Sequence, residues 1–242
     1  MEAPGIFRGR GEHPHAGKLK NRIVPEYVTI NIGQDAPIPA CNLPGHSWKS
    51  VIANPEGTWL ASFRDERSSF LMGKYVQLAA ESSVKGNSDM LKYEKARRLC
   101  SSIDRIRETY MKQMKANDRM DNQIGVCTYL IDKLALRVGN EKGEDEADTV
   151  GCCSLRCEHV RFEGDNKVTF DFLGKDSMRY LNTVAVDPLV YTLLESFTHA
   201  KKPTDDIFEV VNASRLNDAL KESMEDLSAK VFRTYNASFT LQ

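Results

Sequence analysis

Hydrophobic and polar positions repeat with two different periods along this chain, and the change falls near Tyr93. Before it, apolar residues recur in short alternating runs. Tyr27–Ile32 is β-branched and alternating, Ser47–Ala53 and Thr58–Phe63 flank the turn-forming Asn54-Pro55-Glu56-Gly57, and Phe70–Leu78 reads as a further strand. The spacing around Asn54–Gly57 predicts a hairpin. Residues 91–117 then lack Gly and Pro, and Leu99, Ile103, Ile106 and Tyr110 follow helical spacing. A second helical stripe (Ile124, Cys127, Ile131, Leu134, Val138) stops at Gly139, a natural C′ residue, which predicts Arg137 in the last turn of that helix.

Beyond an acidic stretch, Arg161–Asn166 reads as a short loop, and Lys167–Phe172 alternates with period two. Gly174-Lys175-Asp176-Ser177 supplies a turn and Met178–Val186 the return strand, so Lys175 is expected at a hairpin tip. Leu189–Phe197, Ser214–Asp226 and Ala229–Ser238 are helical in pattern. Residues 1–22 read as an extended segment broken by Pro4, Gly5, Gly9, Gly11, Pro14 and Gly17. The predicted class is α+β: a β-rich part over residues 1–93, then a mostly α-helical part over 94–242 that carries a β-hairpin around 167–186.

Composition narrows this little. At 242 residues, 41% hydrophobic and 28% charged, the chain is long enough for a sizeable core. No apolar run approaches the roughly 18 residues of a membrane helix and no signal-peptide core is present, so a cytosolic or nuclear protein without a membrane partner is expected. The six cysteines form no CxxC pair, which disfavours a cysteine zinc site; they read as small buried hydrophobes. The net charge of −1 does not advertise a polyanion partner. Charge is local instead: Arg8, Arg10, Lys18, Lys20 and Arg22 crowd the first 22 residues, and acids crowd 141–148.

Candidate chemistry lies in three segments: Leu134–Lys142 around Arg137, Phe172–Ser177 around Lys175, and Lys230–Ser238 around Arg233. Guanidinium groups in aliphatic and aromatic frames suit bidentate recognition of phosphate. Each residue alone has a plainer reading: Arg137 as a cation favoured at a helix C-terminus, Lys175 as a solvated turn residue, Arg233 as a packed stem with a salt-bridged head. No nucleophile is evident beside them. Tyr235 lies two positions from Arg233 on one predicted helix, so the two do not share a face, and it is expected to be a packing residue.

The words around these residues carry more. Glu2–Gly11 (EAPGIFRGRG), Tyr93–Leu99 (YEKARRL), Ile131–Lys142 (IDKLALRVGNEK), Ala147–Arg156 (ADTVGCCSLR), Asp171–Ser177 (DFLGKDS) and Ala229–Ser238 (AKVFRTYNAS) together resemble the eukaryotic type IB DNA topoisomerases over essentially the whole chain. A tyrosine recombinase shares the order Arg, Lys, Arg but not the EAPGIFRGRG or DTVGCCSLR segments. The resemblance implies a β-rich remnant of a DNA-clamping core and cap followed by a catalytic subdomain. It also implies ATP-independent relaxation of supercoiled duplex DNA through a 3′-phosphotyrosyl intermediate, with no cofactor or metal, in the nucleus, with the mitochondrial DNA compartment as a second candidate location. Arg137 and Arg233 match the family's two catalytic arginines, and Lys175 matches its general-acid lysine.

Further positions carry over as DNA contacts: Arg8 and Arg10 of the FRGRG segment, Lys85, Gly86, Asn140, Lys142, Thr149, Asp176 and Lys230. Arg10 and Asp176 match positions flanking the cleavage site, where interfacial poisons bind. Lys85 rests mainly on its Lys-Gly pair and has solvated surface as its plain alternative. In the family the catalytic histidine follows the AKVFRTYNAS block, and the tyrosine lies in a separate C-terminal domain or, in some protozoan members, on a small second subunit. The chain is therefore expected to be an internal fragment, lacking that tyrosine, that histidine and most of the cap, and inactive alone. The expected partners are duplex DNA and the tyrosine-bearing domain or subunit. A non-catalytic DNA-binding or assembly module is the alternative.

Overall fold

The computed structural model describes residues 5–7, 9, 11–64, 74–140 and 146–241. They divide into two compact units: Met1–Gly9 with His13–Leu91, and Arg10–Glu12 with Lys92–Gln242. No helix among the described residues is long and apolar enough to cross a membrane.

The first unit is built on a four-stranded sheet of β1 (Val28–Asn31), β2 (Ser50–Ile52), β3 (Trp59–Phe63) and β4 (Lys74–Gln77), in the order β2-β1-β3-β4. β1 runs parallel to β2 and antiparallel to β3. The hairpin expected across Asn54–Gly57 is therefore not formed, because β1 lies between its two strands. Asn31, at the end of β1, takes over the loop's polar groups. Its side chain accepts from the Asn54 N–H (2.8 Å) and donates to the carbonyls of Asn54 (3.1 Å) and Trp59 (3.0 Å). The register places Val28, Ile30, Val51, Ala61, Phe63 and Val76 on one face, and Thr29, Ser50, Ser62 and Tyr75 on the other. Nor is the N-terminal segment simply extended. The Phe7 N–H donates to the Lys18 carbonyl and the Lys20 N–H to that of Gly5 (both 2.8 Å), so this stretch doubles back on itself.

The long helix α1 (Ser83–Met114) begins earlier than its Gly-free stretch predicts, and the boundary between the units falls within it. In the second unit α1 packs Leu99, Ile103, Ile106 and Tyr110 into the core. α2 (Arg119–Leu134) is N-capped by Asp118, which accepts from the Asp121 N–H at 2.9 Å. A Cβ at Gly125 of α2 would lie 2.8 Å from the Tyr110 carbonyl oxygen, so the glycine lets the two backbones approach.

An antiparallel sheet follows: β5 (Val160–Gly164), β6 (Lys167–Leu173) and β7 (Arg179–Ala185). Val168, Phe170 and Phe172 of β6 point into the core. Arg161–Asn166 is thus not a loop. Most of it is β5, which turns into β6 through Asp165 and Asn166, both with positive φ, as tight hairpins prefer. α3 (Pro188–Thr198), α4 (Ala213–Ser223) and α5 (Ala229–Thr240) complete the unit, adding Phe197, Leu216 and Phe232 to the core. Asp187 and Asn212 cap α3 and α4 with side-chain oxygens.

Candidate active site

α2 ends at Leu134, short of the predicted Gly139, and Ala135 turns into the left-handed region at φ +52. Arg137 is therefore not in the last turn of a helix but on the segment beyond it. The cause lies in α5. Continuing the helix would require the Asp132 carbonyl to accept the Leu136 N–H; instead it accepts from Asn236 Nδ2 at 2.7 Å. The Ala135 carbonyl accepts from Arg233 Nη1, and Leu136 turns into the core. One helix thus terminates another with its side chains, and one of those side chains is Arg233.

The Arg137 segment is then gripped by the loop that contains the TVGCCS sequence. The N–H groups of Cys152 and Cys153 donate to the carbonyls of Arg137 and Val138, both at 2.7 Å. Val150, just upstream, donates its N–H to the Leu173 carbonyl at the end of β6 (2.8 Å). The loop is therefore a splint between the Arg137 segment and the hairpin that carries Lys175. Its entry is fixed by Arg156, which holds Asp148 through two parallel hydrogen bonds (2.9 and 2.8 Å) and Glu158 through Nε (2.7 Å). The Arg156 guanidinium keeps the Asp148 carboxyl below the usual carboxylate range. Cys152 and Cys153 of the splint are buried with Cys127 of α2, and burial pushes the thiols of Cys127 and Cys152 up, which keeps them protonated.

Lys175 stands at the β6–β7 turn, as its sequence predicts, with Gly174 N–H donating to the Met178 carbonyl (2.8 Å). Gly11, counted with this unit, packs against the neighbouring Ser177. Arg233 is half-buried on α5. Burial, and then the nearby charge of Arg137, lower its affinity for a proton, although an arginine stays charged.

Arg137, Lys175 and Arg233 line one cleft of about 370 Å³, together with Gly151, Phe172, Arg179 and Tyr180. No carboxylate lines it among the described residues. Arg179 is paired with Asp171, but Arg137 and Lys175 make no hydrogen bond or ion pair with any described side chain. Cations on one cleft with no described counter-ion, one of them partly desolvated, describe a site for an anion. Forked guanidinium groups favour an oxyanion such as phosphate.

The other predicted positions divide. Lys230 is exposed one turn before Arg233 and on the same side of α5. Asn140 and Thr149 flank the contact between splint and Arg137 segment, and Asp176 is exposed beside Lys175 at φ +66. Lys85 and Gly86 lie in the opening turn of α1 in the first unit, where Lys85 Nζ is 3.9 Å from Asp89. Arg8, Arg10 and Lys142 lie outside the described residues. Tyr235 is a core residue, and burial raises its phenol pKa. Arg179 and Tyr180 escaped the sequence reading. The signal for Arg179 was the return strand itself, which brings it beside Lys175; that for Tyr180 was its register opposite Phe172, on which it stacks at 5.1 Å.

The family model for the eukaryotic DNA topoisomerase I catalytic core matches residues 81–242, and that for the DNA binding fragment of the same enzyme matches residues 1–78. The chain is 56% identical over its whole length to DNA topoisomerase 1 beta of Arabidopsis thaliana, of which it covers 26%. It is 53% identical to DNA topoisomerase 1 of Schizosaccharomyces pombe and 50% identical to that of Homo sapiens, covering 29% and 32% of them. The chain thus spans between about a quarter and a third of the curated relatives it matches. With both family models in register and half of its residues shared with relatives from plant, yeast and human, this chain belongs to the eukaryotic DNA topoisomerase I family.

Proposed function

We propose that this chain supplies the phosphate-gripping part of a type IB topoisomerase, which relaxes duplex DNA by breaking and resealing one strand without ATP. The observation that carries the reading is the cleft itself: Arg137, Lys175 and Arg233 converge there with no described carboxylate among its lining residues. Arg137 and Arg233 hold the non-bridging oxygens of the scissile phosphate and stabilise the charge that builds up in the five-coordinate transition state. Lys175 donates the proton to the departing 5′-oxygen and takes it back on religation. Asn140, Thr149, Asp176 and Lys230 bind the strand around the cut, with Arg8, Arg10 and Lys142; Lys85 and Gly86 contact the backbone from the first unit. Residues 1–93 serve as part of the DNA clamp and 94–242 as part of the catalytic subdomain, acting in the nucleus.

The nucleophilic tyrosine and catalytic histidine come from a further domain or from a second subunit. The burial of Tyr235 and the raised pKa of its phenol support this, since both oppose its use as a nucleophile. The test is a chimera in which residues 1–242 replace the matching region of the Arabidopsis DNA topoisomerase 1 beta. Relaxation of supercoiled plasmid without ATP is expected, falling about 10²- to 10³-fold in Arg137→Ala or Lys175→Ala chimeras. A folded chimera without activity, or one indifferent to both substitutions, would overturn the reading.

A further inference from the structure

Of the four cations lining the cleft, Arg179 alone is paired with a carboxylate among the described residues. Arg179 Nε and Nη2 donate to Asp171 Oδ1 and Oδ2, each at 2.8 Å. Arg161 Nη1 lies 3.6 Å from Asp171 Oδ2. The sheet register explains why both cations reach one acid. Asp171 is on the central strand β6, Arg179 sits opposite Leu173 on β7, and Arg161 sits opposite Thr169 on β5, so each arginine is a diagonal neighbour of Asp171. Both arginines are more than half exposed, whereas the acid is 20% exposed.

We propose that Arg179 is a fourth phosphate ligand of the cleft, held in reserve by Asp171 and surrendered when DNA enters, while Arg161 keeps the carboxylate neutralised. This rests on the reading of the cleft as a phosphodiester site. Arg179 gives up one bidentate partner only to take another, so the exchange itself costs little. A phosphate presents the same two-oxygen edge as the carboxylate that now occupies the fork. The arrangement tunes release as well as capture: Asp171 reclaims Arg179 as the strand leaves, which weakens the grip on relaxed product. Asp171 and Arg161 act as positioning residues, and only Arg179 touches DNA.

Binding of the full chain to a short fluorescent duplex, titrated over a range of KCl concentrations, tests this. Arg179→Gln should weaken binding and flatten the slope of log K against log salt by about 0.9, the value for one phosphate. Asp171→Asn should tighten binding several-fold with the slope unchanged, because the same contact forms without its internal competitor. That gain must vanish in the Asp171→Asn, Arg179→Gln double variant. If the gain survives there, it reflects only the loss of a negative charge near DNA and the proposal fails. An unchanged slope in Arg179→Gln also overturns it. Both variants lie on an exposed strand face, and matching circular dichroism melts would show that the fold is intact. Should the unsubstituted chain fail to bind duplex at low salt, the phosphodiester reading fails with it.

Discussion

Gly139 and Gly151 meet backbone against backbone. A Cβ on Gly139 would lie 2.7 Å from the Gly151 Cα and 2.8 Å from the Gly151 nitrogen, and Gly139 itself adopts φ +79. Neither distance is available to a real side chain. The contact lets the splint loop reach the carbonyls of Arg137 and Val138, so two missing methyl groups set the position of Arg137.

Alanine at either glycine should therefore destabilise the chain, and unequally. Gly151 has extended backbone (φ −134), so Gly151→Ala meets only the steric objection, about 1–3 kcal/mol. Gly139→Ala adds the left-handed strain, roughly 1–2 kcal/mol more. Urea unfolding of the two variants checks this. The reverse order would show that close packing, and not backbone conformation, governs the site.

The same pair shows where the sequence was legible and where it was not. A glycine after a helical stripe reads as a helix cap, and Gly139 invites that reading. What ends α2 is Asn236, 104 residues from Asp132 along the chain, and local pattern carries no trace of so distant a partner. The Lys175 hairpin was readable because alternation and a turn word are local. The Asn54–Gly57 hairpin had the same local signals and failed, because Asn31 on β1 satisfies that loop from between the two strands. The Arg, Lys, Arg set could be chosen from the words around it, but its convergence, and the presence of Arg179 within it, belong to tertiary structure.

Under the proposed function Arg233 has two tasks, and a lysine cannot perform both. One arm of its fork caps α2 at the Ala135 carbonyl, which leaves the rest free to face the cleft. Arg233→Lys keeps a charge but loses the fork. In the chimera described above, cleavage of a suicide duplex should fall about 10²-fold. Unfolding free energy should fall by about 1 kcal/mol for the lost cap. Asn236→Ala should show a similar stability loss, with cleavage less affected. Equal loss of cleavage in both variants would mean that capping α2 is all Arg233 does.

Asp132 ties α2 to α1 from inside. Its carboxylate is fully buried and accepts from Arg107 Nε at 3.0 Å and from the Tyr110 hydroxyl at 3.1 Å, joining α1 to α2. The carboxylate holds the Arg107 guanidinium above its usual pKa. Asp132→Ala leaves a buried hydroxyl and a half-buried cation without their acceptor, and a loss of about 3–5 kcal/mol is expected. Asp132→Asn keeps an acceptor oxygen and should lose less. Chemical denaturation of both variants measures the difference, and equal losses would assign the effect to volume instead of hydrogen bonding.

Acid should loosen the loop that precedes α4 through one carboxylate. Burial tends to raise the Glu209 pKa, but hydrogen bonds from Arg119, Lys201 and Gln123 outweigh it and hold the group down at about 2. A carboxyl whose folded pKa lies below its unfolded value binds protons more readily when unfolded. Its stabilisation is thus complete above about pH 4.5 and disappears as pH falls towards 2. The carboxylate is 37% exposed, so solvent screening reduces the effect to about 1–2 kcal/mol. Glu209→Gln should accordingly be less stable than the parent by that amount at pH 7, with the gap closing between pH 4.5 and 2. Taking the difference between the two proteins cancels the other acids, including Asp148 at the splint. Urea unfolding at pH 7, 4 and 2.5 gives the curve, and a gap that stays constant across that range would mean that packing of the side chain, and not its charge, anchors the loop.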